Sequence, residues 1–312
     1  MTGFILAAGF GTRLNPITRY LPKALVSVAG KPLLARSLQF LKRQGFNTIG
    51  ANSHYLSHQI EQFREESTVY FEIFHEQKIR GTGGALHFAR DFLSQDELFF
   101  VLNVDIVCQI DLNPVISFFK DSSFSCLLIA FKSLTGGGTI FYEPQSRQFL
   151  GTASEHGSNP NACGADFIGA ALYKREFLEL LTDDDFSIVP VWSRAFQKGI
   201  KTGVFLVQDG YWRDIGTPQS LAQLHFDVIN NVVCLDVPDY LMVDSLKKYA
   251  VPRSVSGQDF PGLENAWVET ESFGNANVIS HSVVFKNSTI DNNTPLCNSL
   301  VTPWGVICLD EH

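Results

Sequence analysis

Short apolar runs alternate with amphipathic stretches over the first three quarters of the chain. Residues 4–8 read as a buried strand, and leucines at helical spacing over residues 34–41 follow a proline. Residues 98–102 are apolar throughout, as expected of a central strand that is covered on both faces. The pattern predicts an α/β fold with a Rossmann-like, mostly parallel sheet flanked by helices, in a domain of residues 1–235.

The pattern changes over residues 236–312, where short polar stretches are interrupted by single apolar residues. Val278, Val284, Ile290 and Leu296 follow one another at intervals of six. A six-residue period is typical of a left-handed β-helix, so we predict a short β-helix-like tail of hexapeptide coils. The alternative is an irregular β-rich extension in which the spacing is coincidental. Coils of this kind stack on neighbours, so we also expect a homo-oligomer formed through the tail.

The composition narrows the classes of partner and compartment. The net charge of −8 leaves no basic surplus for nucleic acid or an anionic membrane, whereas a small anionic ligand needs only local positive charge. The six cysteines are scattered without a CxxC pair, as expected of free thiols in a reducing cytoplasm. The apolar run of residues 3–9 is too short to span a membrane. We therefore expect a cytoplasmic protein with small-molecule substrates.

A glycine-rich turn follows the first strand. Gly9 and Gly11 allow the chain to fold around an anion with its N–H groups turned inward, and Arg13 and Lys23 add positive charge. A dinucleotide fingerprint needs a small residue where this chain has Leu14, and a P-loop needs Gly-Lys-Ser/Thr at the end of the turn. Neither of these two templates fits, although the residue types still predict a phosphate site.

The two segments LAAGFGTRLNPIT (residues 6–18) and LPKALVSVAGKPLL (residues 21–34) resemble the sugar-phosphate nucleotidyltransferases, also called nucleotide-sugar pyrophosphorylases, and especially their mannose-1-phosphate guanylyltransferase-like members. The resemblance implies an enzyme that transfers a nucleoside monophosphate from an NTP, with GTP favoured, to a sugar 1-phosphate. The products are an NDP-sugar and pyrophosphate. Arg13 would hold the departing pyrophosphate, and Lys23 would offset charge at the phosphorus.

The resemblance also implies where the nucleotide binds. The implied contacts are Leu6, Ala7, Ala8, Gly9, Gly11, Thr12, Arg13, Glu76, Gly81 and Thr82. Glu76 stands five residues before the first glycine of the GTGG run, where relatives that read uracil or thymine often have Gln. A carboxylate only accepts hydrogen bonds, and guanine offers it two adjacent donors, which favours GTP. The alternatives are that Glu76 faces solvent, that Gln77 supplies an amide after a one-residue slip, and that GTGG is only a tight turn.

Two carboxylates are candidate metal ligands. Asp105 follows the apolar strand of residues 98–102, and Asp214 lies in the motif YWRDIGTP of residues 211–218. A carboxylate that faces a triphosphate needs a cation between them, and Mg²⁺ commonly joins one or two carboxylates to phosphates. The resemblance therefore implies Mg²⁺ on Asp105 and Asp214, with Arg13, Lys23 and Asp105 as the catalytic set. The alternative for Asp105 is a capping or surface role.

The sugar side is less well defined. The expected sugar contacts are Asn103, Glu155 and Gly169, and the alternative for Glu155 is a loop glutamate without a ligand. The family's Glu-Lys-Pro lysine is missing, so either His156, Lys174 or another cation replaces it, or the acceptor is bound differently.

Two other functions remain open from the residues. One is a uridylyltransferase that acts on an amino-sugar 1-phosphate, and the other is a non-catalytic regulatory subunit that binds a nucleotide sugar. Retention of both metal carboxylates together with Arg13 and Lys23 argues against the second, because a sensor does not need them.

Overall fold

The computed structural model describes residues 1–133, 138–154, 162–273, 277–290 and 295–309. The chain divides into two compact units. The first comprises Met1–Gly9 and Leu34–Trp212, and the second comprises Phe10–Leu33 and Arg213–His312. This division differs from the predicted boundary at residue 235, because Phe10–Leu33 and the segment from Arg213 onward group with the C-terminal residues.

The strands and helices are numbered in chain order along the described residues. The strands are β1 (Thr2–Leu6), β2 (Ser27–Val28), β3 (Lys31–Pro32), β4 (Thr48–Ser53), β5 (Glu72–His75), β6 (Leu98–Asn103), β7 (Ile106–Gln109), β8 (Cys126–Lys132), β9 (Ile140–Tyr142), β10 (Phe149–Thr152), β11 (Cys163–Lys174), β12 (Thr202–Val207), β13 (Tyr211–Asp214), β14 (Leu241–Asp244), β15 (Tyr249–Pro252), β16 (Leu263–Val268), β17 (Ile279–Val284), β18 (Leu296–Cys297), β19 (Ser299–Thr302) and β20 (Gly305–Cys308). The helices are α1 (Leu33–Arg43), α2 (Ser57–Glu66), α3 (Gly81–Phe88), α4 (Arg90–Leu93), α5 (Asn113–Asp121), α6 (Val189–Gln197) and α7 (Pro218–Ile229). Within the described ranges, no helix is long and apolar enough to cross a membrane.

The first unit is built on a mixed sheet whose main path runs β10-β9-β11-β6-β1-β4-β5. The four strands β6, β1, β4 and β5 are parallel to one another, as the sequence predicts. The long strand β11 runs antiparallel to β6, β8 and β9, so the sheet is more mixed than expected. The carboxyl ends of β1, β4, β5 and β6 nevertheless meet at one edge, where α/β sheets place ligand contacts.

The central strand β6 confirms the expectation for residues 98–102. Hydrogen bonds join it to β1 on one side and to β11 on the other, and Phe99 and Phe100 are fully buried. Burial on both faces requires an apolar side chain at every position, which explains the uninterrupted apolar run. The polar residues that follow it therefore mark the point where the strand leaves the core.

The second unit carries a sheet in which β15, β16, β17 and β19 run parallel. Leu263 pairs with Ile279 and Val283 pairs with Leu300, so each strand pairs with the next at a nearly constant interval along the chain. The aligned apolar side chains form a separate core, which includes Val251, Val268, Ile279 and Val284. The tail therefore repeats along one direction, with β20 pairing antiparallel at its end.

The predicted hexad positions fit this core in part. Val284 is fully buried, and Ile290 and Leu296 pack against the tail core. Val278 is 50% exposed, whereas its neighbour Ile279 is fully buried. The prediction for Val278 is therefore wrong by one position, because β17 begins at Ile279 and the inward face is set by strand register rather than by the count of six.

Helix α7 joins the rest of the second unit through a buried histidine. The Nε2 atom of His225 accepts a hydrogen bond from the backbone N–H of Ala29 at 3.0 Å, so the Nδ1 atom carries the proton and donates to the Leu221 carbonyl at 2.8 Å. The His225 ring also packs edge-on against Trp267 and Phe285. Phe10–Leu33 is thus fixed to α7 and the tail by specific contacts, which explains the division of the chain.

Candidate active site

The predicted site residues fall into two sets according to the compact unit that carries them. The first unit holds Leu6, Ala7, Ala8, Gly9, Glu76, Gly81, Thr82, Asn103, Asp105 and Gly169, and the second holds Gly11, Thr12, Arg13, Lys23 and Asp214. Glu155 and His156 lie outside the described residues.

In the second unit, Gly11 forms the turn that precedes Arg13. Its φ of 64° is left-handed, and a methyl group on it would lie 2.9 Å from Cβ of Lys23 and 3.0 Å from Cγ2 of Thr18. The Gly11 carbonyl accepts hydrogen bonds from the Thr18 hydroxyl and the Leu14 N–H, at 2.9 and 2.8 Å. Only glycine satisfies both the backbone angle and the close approach. The turn therefore packs directly on Lys23, which is only 8% exposed.

Gly216 brings Arg13 and Asp214 together in the same unit. A methyl group on Gly216 would lie 2.5 Å from Nη2 of Arg13 and 2.8 Å from Oδ1 of Asp214. The next residue, Thr217, caps α7: its hydroxyl accepts from the Ser220 N–H, and the Ser220 hydroxyl accepts from the Thr217 N–H, both at 3.1 Å. The cap fixes the helix start, and the absence of a side chain at Gly216 leaves the space that the Arg13 guanidinium fills.

In the first unit, Asn52 joins two loops at the carboxyl edge of the sheet. Its Oδ1 atom accepts hydrogen bonds from the backbone N–H groups of Ala7 and Ala8, at 2.6 and 3.2 Å. Its Nδ2 atom donates to Oε1 of Glu76 at 2.8 Å. Sequence reasoning missed this role, although a buried asparagine at the end of an apolar strand was the available signal.

Glu76 is fully buried, and both of its carboxylate oxygens have partners. Besides the bond from Asn52 to Oε1, its Oε2 atom accepts from the backbone N–H of Arg80 at 2.7 Å. Direct reading of guanine by Glu76 does not fit this geometry, because no surface of the carboxylate is open to a base. Glu76 instead connects Asn52 to the residue that precedes Gly81. The alternative that Glu76 faces solvent is also wrong, while Gln77 is exposed.

The GTGG run packs against the chain before α6. A methyl group on Gly81 would lie 2.0 Å from the Phe186 carbonyl oxygen, and the φ of Gly81 is 68°. The Thr82 hydroxyl accepts from the Ile188 N–H at 2.9 Å. These contacts account for glycine and threonine here without any ligand, so the nucleotide contacts of Gly81 and Thr82 stay predictions.

An ion pair holds this neighbouring segment. Arg194 donates to both carboxylate oxygens of Asp185, at 2.9 and 2.7 Å, and this hydrogen bonding lowers the pKa of Asp185. The carboxylate therefore stays ionised, and the segment that packs on the GTGG run is fixed in place.

Asn103 and Gly169 lie side by side where β6 and β11 end their pairing. The register of β11 shifts between Phe167 and Ala170, and Gly169 has a φ of 73°. A methyl group there would lie 2.9 Å from Nδ2 of Asn103 and 2.8 Å from Cγ1 of Ile106. The structure thus brings together the two described residues predicted for sugar binding, and a β-bulge explains why one of them is glycine.

Lys174 cannot replace the missing lysine of the family motif. It pairs with Leu98 at the start of β6, whereas Asn103 is the last residue of that strand and Asp105 follows it. Its ammonium donates to the Ser122 carbonyl at 3.3 Å. The full length of β6 therefore separates this cation from the predicted sugar contacts.

The donor atoms available to a metal are carboxylate oxygens. Asp105 is half-buried after β6, and Asp214 is exposed at the end of β13. Among the described residues, no group of three or more His, Cys, Asp or Glu side chains is arranged to hold a metal ion. Mg²⁺ is commonly bound by one or two carboxylates, with water and phosphate oxygens at its other coordination positions. This donor set suits Mg²⁺, and it does not suit a metal whose ligands must all come from the protein.

One protein-family model matches the N-terminal part of this chain. The family model described as Nucleotidyl transferase matches residues 2–147, a stretch that includes the glycine turn, Lys23, Asn52, Glu76 and Asp105. Residues 2–147 are therefore similar to that family.

Sequence similarity to known proteins extends over more of the chain than residues 2–147. The chain is 29% identical over 230 residues to mannose-1-phosphate guanyltransferase beta-B of Xenopus laevis, and 27% identical over 232 residues to the mannose-1-phosphate guanylyltransferase catalytic subunit beta of Dictyostelium discoideum. Each match covers 70% of this chain, which spans 62% of the length of these curated relatives.

Solved structures show the same fold. HddC from Yersinia pseudotuberculosis, complexed with GMP-PN, matches with a TM-score of 0.59 and 23% identity, over 72% of this chain and 97% of that one. A putative glucose-1-phosphate thymidylyltransferase from Bacillus anthracis, in complex with a sucrose, matches with a TM-score of 0.61 and 20% identity, over 76% of this chain and 97% of that one. About three quarters of this chain thus has the fold that these proteins share.

Proposed function

We propose that this protein transfers a nucleoside monophosphate from an NTP, with GTP preferred, to a sugar 1-phosphate, and releases pyrophosphate. The match of residues 2–147 to the Nucleotidyl transferase model supports the reaction class. The names of the guanylyltransferase relatives support both the sugar 1-phosphate and the guanine nucleotide. The GTP preference no longer depends on Glu76, because that side chain is buried.

One observation carries the proposal: the Arg13 guanidinium lies against Gly216, beside the Asp214 carboxylate. Two motifs that are far apart in sequence thus bring a guanidinium group and a carboxylate group together. A triphosphate needs both kinds of group, since its oxygens bind guanidinium N–H donors and also bind cations held by carboxylates.

The chain's own residues have limited chemistry to perform. The attacking oxygen of a sugar phosphate is already anionic, so the reaction needs no general base, and catalysis depends on positioning and charge stabilisation. Arg13 binds the departing pyrophosphate. Lys23 neutralises charge at the α-phosphorus, and its burial to 8% exposure strengthens that interaction because little water screens it.

We assign the two metal-binding carboxylates to Asp105 and Asp214. When bound, Mg²⁺ would supply charge neutralisation and orientation of the α-phosphate. Asn103 and Gly169, and Glu155 among the residues that are not described, are the proposed sugar contacts. Leu6 to Gly9 and the Gly11 turn are the proposed backbone contacts of the nucleotide.

Gly216 offers a steric test of the Arg13 placement. We expect Gly216→Ala to lower kcat/KM for pyrophosphate release about tenfold or more, since the added methyl group would displace the guanidinium and the carboxylate by more than the tolerance of a preorganised site. The displaced atoms are the ends of flexible side chains, so the melting temperature should hardly change. Gly257→Ala is the matched control, because a methyl group there contacts nothing within 4 Å. Wild-type kinetics for Gly216→Ala would contradict the placement.

The tail has a proposed role in assembly. We propose that its parallel strands, which pair at a nearly constant interval along the chain, form short β-helix-like coils that associate between copies of the chain. We expect light scattering at micromolar concentration to give a mass that is a multiple of the 34.7 kDa chain. A monomer across that concentration range would contradict the assembly role without affecting the chemistry.

A pyrophosphate-release assay over four NTPs and a panel of sugar 1-phosphates tests the proposed reaction. We expect release to require both substrates and to be fastest with GTP. A preference for UTP with an amino-sugar 1-phosphate would move the assignment to a uridylyltransferase. Absence of release with every pair would favour the regulatory alternative.

A further inference from the structure

A cavity of about 420 Å³ lies within the second unit. Its lining includes none of the residues assigned above to the nucleotide, the metal or the sugar. One wall comes from the segment between Ile17 and Gly30, and the other comes from the turns that follow β16, β17 and β19. This cavity, here named the tail pocket, is therefore a second concave site that the proposed reaction leaves unused.

The turns that line the tail pocket are equivalent positions of the tail repeat. Glu269, Lys286 and Pro303 each follow a strand, and they recur at equal intervals along the chain. The first of these turns carries the Glu269 carboxylate, the second carries the Lys286 ammonium, and the third carries Pro303. Structural repetition does not require a charged residue at the most buried of these three positions.

Glu269 is buried to 4% exposure, and although the Lys286 ammonium acts on its charge, the two do not form a salt bridge. Its Oε1 atom accepts from Nε1 of Trp267 at 2.9 Å, and Oε2 accepts from the Lys286 backbone N–H at 3.4 Å, with a further bond from the Gly30 N–H. All three donors are neutral, and the structure gives Glu269 no ion pair with any described residue. Burial raises the pKa of Glu269 by more than these hydrogen bonds and the Lys286 charge lower it. A cation in the pocket would stabilise this charge.

Aromatic rings form the other face of the tail pocket. Tyr240 and Trp304 both line it, and Trp304 stacks on Tyr20 with ring centroids 5.4 Å apart. The Lys286 ammonium lies 5.1 Å from the centroid of the Tyr240 ring, which shows that this ring accepts a cation on its face. Burial, and secondly the Glu269 charge, raise the pKa of Tyr240 to about 12, so its phenol stays neutral.

We propose that the tail pocket binds a small organic cation with a flat apolar body, whose ammonium group faces Glu269 and whose ring packs against Tyr240 and Trp304. A carboxylate combined with aromatic walls is the chemistry that recognises such cations. Leu25 lines the pocket and belongs to the same short 3-10 turn as Lys23, so an occupant contacts the turn that carries a proposed catalytic cation. The regulatory part of this inference rests on the proposed function, whereas the binding part does not.

Isothermal titration calorimetry with tryptamine as the probe tests the binding, and tryptophol, which replaces its ammonium with a hydroxyl, is the neutral control. We expect saturable one-to-one binding of tryptamine, and at least tenfold weaker binding of tryptophol. Glu269→Gln should weaken tryptamine at least tenfold, while Glu271→Gln, at an exposed position, should not. No tryptamine binding at millimolar concentration, or equal affinity in wild type and Glu269→Gln, would overturn the proposal.

Trp304→Leu provides a second test of binding in case Glu269→Gln does not fold. In Glu269→Gln the amide oxygen can still accept from Trp267, but the amide NH₂ then faces the Lys286 N–H, so circular dichroism and the melting temperature must check the fold. Trp304→Leu removes a ring at a 38% exposed position and should also weaken tryptamine. Saturating tryptamine should change kcat or KM of pyrophosphate release in wild type and not in Glu269→Gln. Unchanged kinetics despite binding would overturn the regulatory part, and no pyrophosphate release either with or without tryptamine would contradict only the proposed function.

Discussion

Asp105→Asn and Asp214→Asn are each expected to lower kcat/KM for nucleotidyl transfer by roughly 100-fold or more, about 3 kcal/mol of transition-state stabilisation. Each substitution replaces an anionic oxygen ligand with a neutral amide while keeping nearly the same shape. Loss of the ligand charge weakens cation binding directly. Steady-state pyrophosphate release, measured over a range of Mg²⁺ concentrations, gives the size of the effect.

The double variant separates a shared cation from two independent roles. If both carboxylates hold one ion, either substitution already impairs its site, so the double variant should lose much less than the product of the two single losses. Asp209→Asn, at an exposed neighbouring position, is the charge-matched control and should behave as wild type. Near wild-type activity of Asp105→Asn at saturating Mg²⁺ would contradict its assignment.

Glu76→Gln is expected to destabilise the first unit by about 1–3 kcal/mol and to lower activity with every NTP alike. The hydrogen bonds around Asn52 have a fixed direction, since the Ala7 and Ala8 N–H groups can only donate and therefore require its oxygen. Its Nδ2 must then donate to Glu76, and the Arg80 N–H also donates to Glu76. An amide at position 76 would place an N–H donor against another donor, whichever way it turned. Urea unfolding and the assay with GTP and UTP measure both effects.

The same argument predicts a compensating pair. Asn52→Asp alone places a carboxylate oxygen against the Glu76 carboxylate, and should destabilise the fold. In the variant that carries both Asn52→Asp and Glu76→Gln, the new amide donates to the new carboxylate and still accepts from the Arg80 N–H. We expect the pair to recover most of the stability lost by either single change. If the double variant lost as much stability as the two single variants together, the hydrogen bonds between Asn52 and Glu76 would not be what holds these loops in place.

The sheet is predictable from the sequence where each strand is uniformly apolar, as β6 is. The direction of β11 is not, because Cys163–Lys174 carries no local signal that distinguishes a parallel from an antiparallel neighbour. The error at Val278 has a related cause: a spacing of six fits more than one starting residue, and strand register selects among them. The division into two units depends on contacts such as the Ala29 to His225 hydrogen bond, which joins residues 196 positions apart.

The glycine turn was predictable because one short segment holds its whole motif, and the structure packs Gly11 directly on Lys23, while the roles of Arg13 and Lys23 toward phosphate stay predictions. The role of Glu76 was not predictable, because a loop carboxylate gives no sign in the sequence of whether it faces a ligand or buried N–H groups. Asn52 and Gly216 act through space on loops that are distant in sequence. Their roles can be recognised only from the structure, which shows Asn52 bonded to Ala7 and Gly216 lying against Arg13.

Transfer of the α-phosphate is the central claim, and α-³²P-labelled GTP tests it most directly. With a sugar 1-phosphate acceptor, the account predicts that the label moves into a GDP-sugar whose other phosphate comes from the acceptor, with one pyrophosphate released per label transferred. Label recovered as GMP or GDP, or retained in GTP while nucleotide remains bound, would contradict the account.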